Sequence, residues 1–222
     1  MHNKKRMKLA IGAAALICSP LAFSANIIDS IYGVGAGSFE IPGHDGPLFK
    51  TVENSSTEII GWTVNTTNID WAKAAVWNPS QGDYSIDLNG TPGGPGGIQT
   101  VIPTTVGTTY RVTFDIGAFI ASGNTTNPKT FETSAAGVTT QFSLSTTDTF
   151  VTLPLSVTWT SRTFDFVAIA TSSTVSFVST VATESAGILL DNVSVVAIPE
   201  PGSMTIAALW LTLASLRRRR SK

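Results

Sequence analysis

The chain has 222 residues, with 14 Lys and Arg against 15 Asp and Glu and a formal net charge of −1. One cysteine and two histidines are too few for a thiolate metal site or for catalysis built on cysteine or histidine. At 42% hydrophobic and 13% charged residues, a chain of this length can bury one sizeable core.

Lys4, Lys5, Arg6 and Lys8 precede an apolar run from Leu9 to Phe23, and Ser24-Ala25 supplies small residues for cleavage. This order predicts a secretory signal peptide over residues 1–25, handed to the Sec translocon and absent from the mature fold. Cys18 and His2 fall inside it, so residues 26–197 keep His44 as the only histidine and no cysteine. They hold five Lys and Arg against 14 Asp and Glu, a net charge of −9. Such a balance argues against nucleic acid and anionic membrane surfaces as partners.

Between 26 and 197 the apolar residues recur with period two, the spacing of half-buried antiparallel strands. About nine strands are expected. In chain order they cover Gly37–Glu40, Ile60–Asn65, Ile69–Ala74, Tyr84–Leu88, Gly97–Ile102 and Tyr110–Ala118. Gln141–Leu144, then Arg162–Ala170 with Val175–Ser179, and finally Ile188–Val195 complete the set. Gly46-Pro47, Asn78-Pro79, Gly90 to Gly97, Gly123-Asn124 and Asn127-Pro128 break the runs. The Thr-rich stretch from Ala121 to Phe150 reads as long loops around one or two edge strands. The fold class predicted is all-β, a single jelly-roll or β-sandwich domain over 26–197.

Several runs taken together carry a resemblance. They are Gly37-Ser38-Phe39-Glu40, Trp62, Ile69-Asp70-Trp71, Ser85-Ile86-Asp87-Leu88-Asn89-Gly90 and Gly96-Gly97-Ile98-Gln99-Thr100. Gly107 to Asp115 and Ile188 to Val195 follow. In this order they resemble the choice-of-anchor C proteins, relatives of a plant cell-wall family with a galactose-binding-like jelly roll. The resemblance implies a non-catalytic carbohydrate-binding domain directed at extracellular polysaccharide. In jelly rolls of this kind the chain ends meet and often hold calcium, which makes Glu40 and Asp191 candidate ligands of a structural Ca²⁺. The alternative is that Glu40 caps a loop through backbone N–H groups while Asp191 ends a strand ladder.

Other residues admit a binding and a structural reading. Trp77, beside Asn78-Pro79, is the candidate platform for stacking on a sugar, and Trp71, flanked by Asp70 and Lys73, is the second. Trp62 and Trp159 read as core. Asp83, Asp87 and Asn89 fall on one strand face, where Asp87 and Asn89 either line a sugar or cation site or organise the turn into the Gly-rich loop. That loop, Gly90 to Gly97, lacks the Lys-Ser/Thr of a phosphate loop. No Gly-x-Ser-x-Gly elbow and no Ser/His/Asp set can be assembled, so catalysis is not expected.

The tail over 198–222 has its own order. Pro199-Glu200-Pro201 is followed by an apolar run from Ser203 to Leu216 and by Arg217, Arg218, Arg219 and Arg220. As a helix the run would span about 21 Å, short for a lone membrane span. The arginines would stay cytoplasmic. The order resembles the PEP-CTERM sorting signal, which implies a hydrophobic sorting helix held transiently in the inner membrane. It also implies cleavage by an exosortase-type membrane protease and delivery to the cell surface or the extracellular space. A structural biofilm or matrix protein without specific sugar binding is the alternative function, and a polysaccharide hydrolase a weaker one.

Overall fold

The period-two pattern becomes eleven antiparallel strands in a computed structural model that describes residues 25–199. The expected signal peptide, save Ala25, and the sorting tail beyond Pro199 lie outside the described residues. A short helix, α1 (Ile27–Tyr32), opens the domain. It is followed by β1 (Phe49–Glu53), β2 (Thr63–Val64), β3 (Asn68–Lys73), β4 (Tyr84–Asp87), β5 (Gly97–Pro103) and β6 (Thr109–Ala118). β7 (Lys129–Ala135), β8 (Val138–Leu144), β9 (Thr160–Val167), β10 (Ser172–Ser179) and β11 (Ile188–Ala197) complete it. One sheet runs β1-β3-β4-β11-β6-β9 and the other β2-β5-β10-β7-β8.

The two sheets close over one main core. Trp71, Phe39, Phe114, Phe131 and Phe177 are among its largest fully buried side chains. Phe177 of β10 sits at its centre, with ring centroids 5.1 Å from Phe114 and 6.3 Å from Trp62. Trp62 is a core residue as expected, its indole N–H donating to the Ala36 carbonyl at 2.8 Å. Trp159 is only half-buried and packs against a smaller second cluster.

Two expectations are corrected. Gly37–Glu40 is a tight turn, with Phe39 at φ 62° and the Glu40 N–H donating to the Gly35 carbonyl. Gly37 lies so close to β11 that a Cβ there would stand 2.2 Å from the Val193 carbonyl oxygen, a contact only glycine permits. The Thr-rich stretch holds a regular hairpin, β7–β8, with β7 paired to β10 and β8 at the edge. Its inward positions, Lys129, Phe131, Thr133 and Ala135, are all buried, while polar residues fill the outer face. Strand β1 gives little sequence signal because only Val52 of its five residues is buried.

Helix α1, too short to show a helical period, is held at its start by Asn26. The Asn26 carboxamide oxygen accepts the Ile28 N–H at 3.2 Å and the Val195 N–H at 3.0 Å, while its amide donates to the Val193 carbonyl at 3.1 Å. One side chain thus caps the helix and ties both ends of the domain together.

At the far end of the sandwich, Lys129 is fully buried and paired with Glu184. The Glu184 carboxylate also accepts the Thr126 N–H at 2.8 Å and its hydroxyl at 2.7 Å. Burial alone would raise this carboxyl, but Lys129 and Thr126 outweigh it and hold it at about 2. The pair fastens the β10–β11 connection to the start of β7. The Phe177→Ala variant is expected to lose about 3–5 kcal/mol of unfolding free energy in a denaturant titration. A loss under about 1 kcal/mol would mean that the two sheets do not interlock through this ring.

Candidate functional site

The outer face of the first sheet carries an unusual row of acids. Register places Asp70 of β3 opposite Asp87 of β4, and Asp191 of β11 opposite Asp115 of β6. Like charges facing each other across strands destabilise a sheet unless donors or protons intervene. Here both intervene. Asp70 accepts the Thr51 hydroxyl at 2.7 Å and the Thr91 hydroxyl at 2.8 Å. Asp87 accepts the Asn89 and Gly187 N–H groups at 2.8 and 2.9 Å. Asp115 is raised by burial but is held below the usual carboxylate range by hydrogen bonds from Ser161, Ser80 and Asn192.

Two loops lie on this face, and one of them brings Ser80 to Asp115 and Gln81 to Asp191. The segment 74–83 and the segment 148–159 pack Val76, Trp77, Leu155 and Val157 against Phe119 and Leu189 on this face. Asn78 clasps them together. Its side-chain oxygen accepts the Val157 N–H at 2.6 Å, its amide donates to the Val157 carbonyl, and its own carbonyl accepts the Trp159 indole N–H.

The sugar-binding candidates therefore fall inside the structure. Trp77 is 4% exposed and donates its indole N–H to the Ser85 hydroxyl at 2.7 Å. It is the centre of the covering cluster and has no free face for a sugar. Trp71 is 1% exposed, with its indole N–H on the Phe39 carbonyl. Asp87 and Asn89 are buried and organise the turn into the Gly-rich loop, which is the structural alternative of the two read from the sequence. Asn89 also donates to the Val181 and Glu184 carbonyls. Asp83, from the same set, is exposed and apart from them.

The structure does bring Glu40 and Asp191 together, around the loop at Ser80–Tyr84. Glu40 accepts the Asp83 and Tyr84 N–H groups at 3.0 Å, and Asp191 accepts the Gln81 N–H at 2.8 Å. Gly82, at φ +69°, closes the turn, and a Cβ there would stand 2.3 Å from a Glu40 oxygen. This is the loop-capping arrangement. Among the described residues no three acidic, histidine or cysteine side chains gather as a metal cluster.

An open cleft, which the sequence did not point to, lies beside the edge strand β1. Its volume is about 560 Å³, and its walls include His44, Asp45, Phe49, Lys50, Glu58 and Trp71. Phe49 is 41% exposed, whereas Trp62, Trp71 and Trp77 are buried and Trp159 is half-buried. Lys50 and Glu58 form an ion pair on its rim. His44 is held only by ring contacts, 5.0 Å from Trp71 and 5.3 Å from Tyr84, both edge-on. Both of its ring nitrogens are closed off from water and lack a hydrogen-bond partner; a Trp71 backbone group is near, but not in bonding geometry. Desolvation and the charges of Lys73 and Lys50 keep the ring neutral.

Among the described residues no helix is long and apolar enough to cross a membrane. Comparison with known proteins places the chain. A family model described as "Protein of unknown function (DUF642)" matches residues 34–196. Halomucin of Haloquadratum walsbyi (strain DSM 16790 / HBSQ001) is 31% identical over 196 residues, which are 86% of this chain. The chain spans only 2% of that protein's length. Among solved structures, TmCBM61 in complex with β-1,4-galactotriose is similar over 79% of this chain and 100% of its own, at 12% identity and a TM-score of 0.42. A family 35 carbohydrate-binding module from Clostridium thermocellum is similar over 66% of this chain and 97% of its own, at 12% identity and a TM-score of 0.42.

Burial raises the Asp191 carboxyl to about 7, against the pull of the Gln81, Asn192 and Ser80 N–H groups and with a further push from Glu40. The unfolded chain releases this proton near pH 3.9. The native state therefore binds more protons between about pH 4 and 7, and stability falls as pH rises through that window. Asp191→Asn, which keeps an acceptor for Gln81, is expected to flatten part of the fall in melting temperature from pH 4 to 7. An unchanged slope would mean that Asp191 is ionised throughout.

Proposed function

This chain belongs to the DUF642 family, and from that premise we propose that it is an exported, non-catalytic carbohydrate-binding domain. The observation that carries the reading is the open cleft beside β1, whose walls include His44, Asp45, Phe49, Lys50, Glu58 and Trp71. Its size lies in the range of small-molecule sites, and one apolar ring face with converging polar groups is what a pyranose needs. His44 supports the reading further. No hydrogen bond fixes its ring, so a turn about its side-chain torsion would offer a nitrogen to a ligand hydroxyl and relieve a buried polar group.

A hydrolase is disfavoured by the same geometry. The opposed aspartates of the first sheet are buried, and in the cleft Glu58 is engaged by Lys50, which leaves Asp45 without a carboxylate partner for glycosidic chemistry. The domain would thus act by adhesion, contacting polysaccharide outside the cell.

The destination belongs to the proposal as well. Residues 1–25 supply the export signal, and Pro199-Glu200-Pro201 with the apolar run and Arg217 to Arg220 supply a PEP-CTERM-like sorting signal for an exosortase-type protease. Intact mass of the released protein is expected to show an end near Pro199 and loss of the four arginines. Released protein that retains them contradicts the sorting reading and leaves the cleft untouched.

Phe49→Ala in the full chain is expected to weaken retention on a polysaccharide column about tenfold or more, with an unchanged melting temperature. Trp77→Ala is expected to do the reverse, lowering stability by about 3–5 kcal/mol through the covering cluster. Unchanged retention in Phe49→Ala would remove the cleft as the binding site.

A further inference from the structure

The last described residues leave the sandwich at the end where β6 begins. β11 closes with Ala197 opposite Tyr110, and the Ile198 N–H donates to the Thr109 carbonyl at 2.8 Å. Val167, the last residue of β9, pairs with Thr109 from the other side. The connections 104–108 and 168–171 interlock there. The Gly107 N–H donates to the Ala168 carbonyl at 2.8 Å, and the Thr104 N–H to the Thr171 carbonyl at 2.9 Å. Three apolar side chains at this end reach solvent, Val106 at 58%, Val167 at 49% and Ile169 at 71% exposure. No Asp, Glu, Lys or Arg occurs in 97–110, 166–183 or 192–199. The first charged residues back along β6 and β9, Arg111 and Asp165, pair with each other. In a domain with 14 acidic and five basic residues, the segments that build this end are uncharged.

Apolar side chains on neighbouring connections, with no charge among them, suit a partner that is itself apolar. The sequence that follows says which. Glu200, Pro201 and Gly202 alone separate Pro199 from the apolar run Ser203–Leu216, and at full extension the step from Pro199 to Ser203 covers at most about 14 Å. A bilayer that takes up that run is therefore brought against this end of the sandwich. We propose that this end is a lipid-docking surface: while the apolar run holds the chain in a bilayer, Val106, Val167 and Ile169 enter the interface and the domain stands end-on. The short connection forces the approach, and the uncharged connections allow it without desolvating a charge. The acidic remainder of the domain is turned to water.

This inference rests on the reading of residues 203–216 as a membrane segment. The test takes the exported form, residues 26–222, which has no native cysteine, into phosphatidylcholine vesicles. Flotation with the vesicles reports the membrane segment. A fluorophore on Val106→Cys, read against one on Ser122→Cys, reports the docking, with nitroxide-labelled lipid as the quencher. Ser122 is exposed beyond the other end of β6, roughly 30 Å away along that ten-residue strand. The probe at 106 is expected to lose most of its fluorescence and the probe at 122 to keep it. Val167→Asp with Ile169→Asp is expected to undo that loss without changing flotation. Equal quenching at both positions in floated protein would overturn the docking and leave the membrane segment standing, and failure to float would end both. Quenching at 106 that survives in the double aspartate variant would overturn the assignment to these side chains. A probe at 106 shielded from aqueous iodide before vesicles are added, and never quenched by lipid, would overturn the proposal by giving the patch to the tail itself, or to a second copy if the shielding rises with protein concentration.

Discussion

The constraint on which this domain rests is that four aspartates stand in facing pairs on one sheet, buried, and must be satisfied there. A carboxylate out of water needs donors or a proton. The donors come largely from the loops laid across the sheet and from the turns beside it: Gln81 for Asp191, Ser80 for Asp115, Thr91 for Asp70, Gly187 for Asp87. The apolar side chains of the covering loops, Val76, Trp77, Leu155 and Val157, then form a second small core above the acids. The acids and the loops therefore specify each other. Without the loops the carboxylates would lie in water on an open sheet, and without the carboxylates the turn at Ser80–Tyr84 would lose its anchors.

Closing that face has a consequence for binding. Much of that sheet surface is covered, and an open cleft lies at the edge, beside β1. One lysine is spent inside, fastening the β10–β11 connection, and Lys50 lies at the cleft in a pair with Glu58.

Much of the fold was legible because alternation is a direct imprint of a two-faced strand. Tyr110 to Asp115 and Ile188 to Val195 announce β6 and β11 with almost no ambiguity. β7 was hidden by its own composition, since Lys129, Thr130, Thr133 and Ser134 look like loop residues until the partner of Lys129 is known. Nothing in the sequence ties Lys129 to Glu184, 55 positions away. β1 was hidden because an edge strand buries only Val52. The candidate site was legible only as a choice between binding and structure. Tryptophan is the commonest sugar platform and also the largest core residue, and Trp77 beside Asn78-Pro79 looks exposed until the segment 148–159 is laid over it. Phe49 and His44 carried a faint signal, an aromatic and a lone histidine in a Gly/Pro-rich stretch. Their meeting at one cleft beside β1 rests on the pairing of β1 with β3, which no local pattern encodes.

The place of β11 in the first sheet bears on the order in which the domain comes into being. It is the last strand among the described residues, yet it sits between β4 and β6 and supplies backbone partners of both. A growing chain that has reached β10 still has a gap in the middle of that sheet, and neither half can bury its inner face against the other. The contacts that close the gap span up to 169 positions, from Val195 back to Asn26. Such a chain gains little by folding before its end is made. The first sheet is thereby incomplete until residue 195 is available.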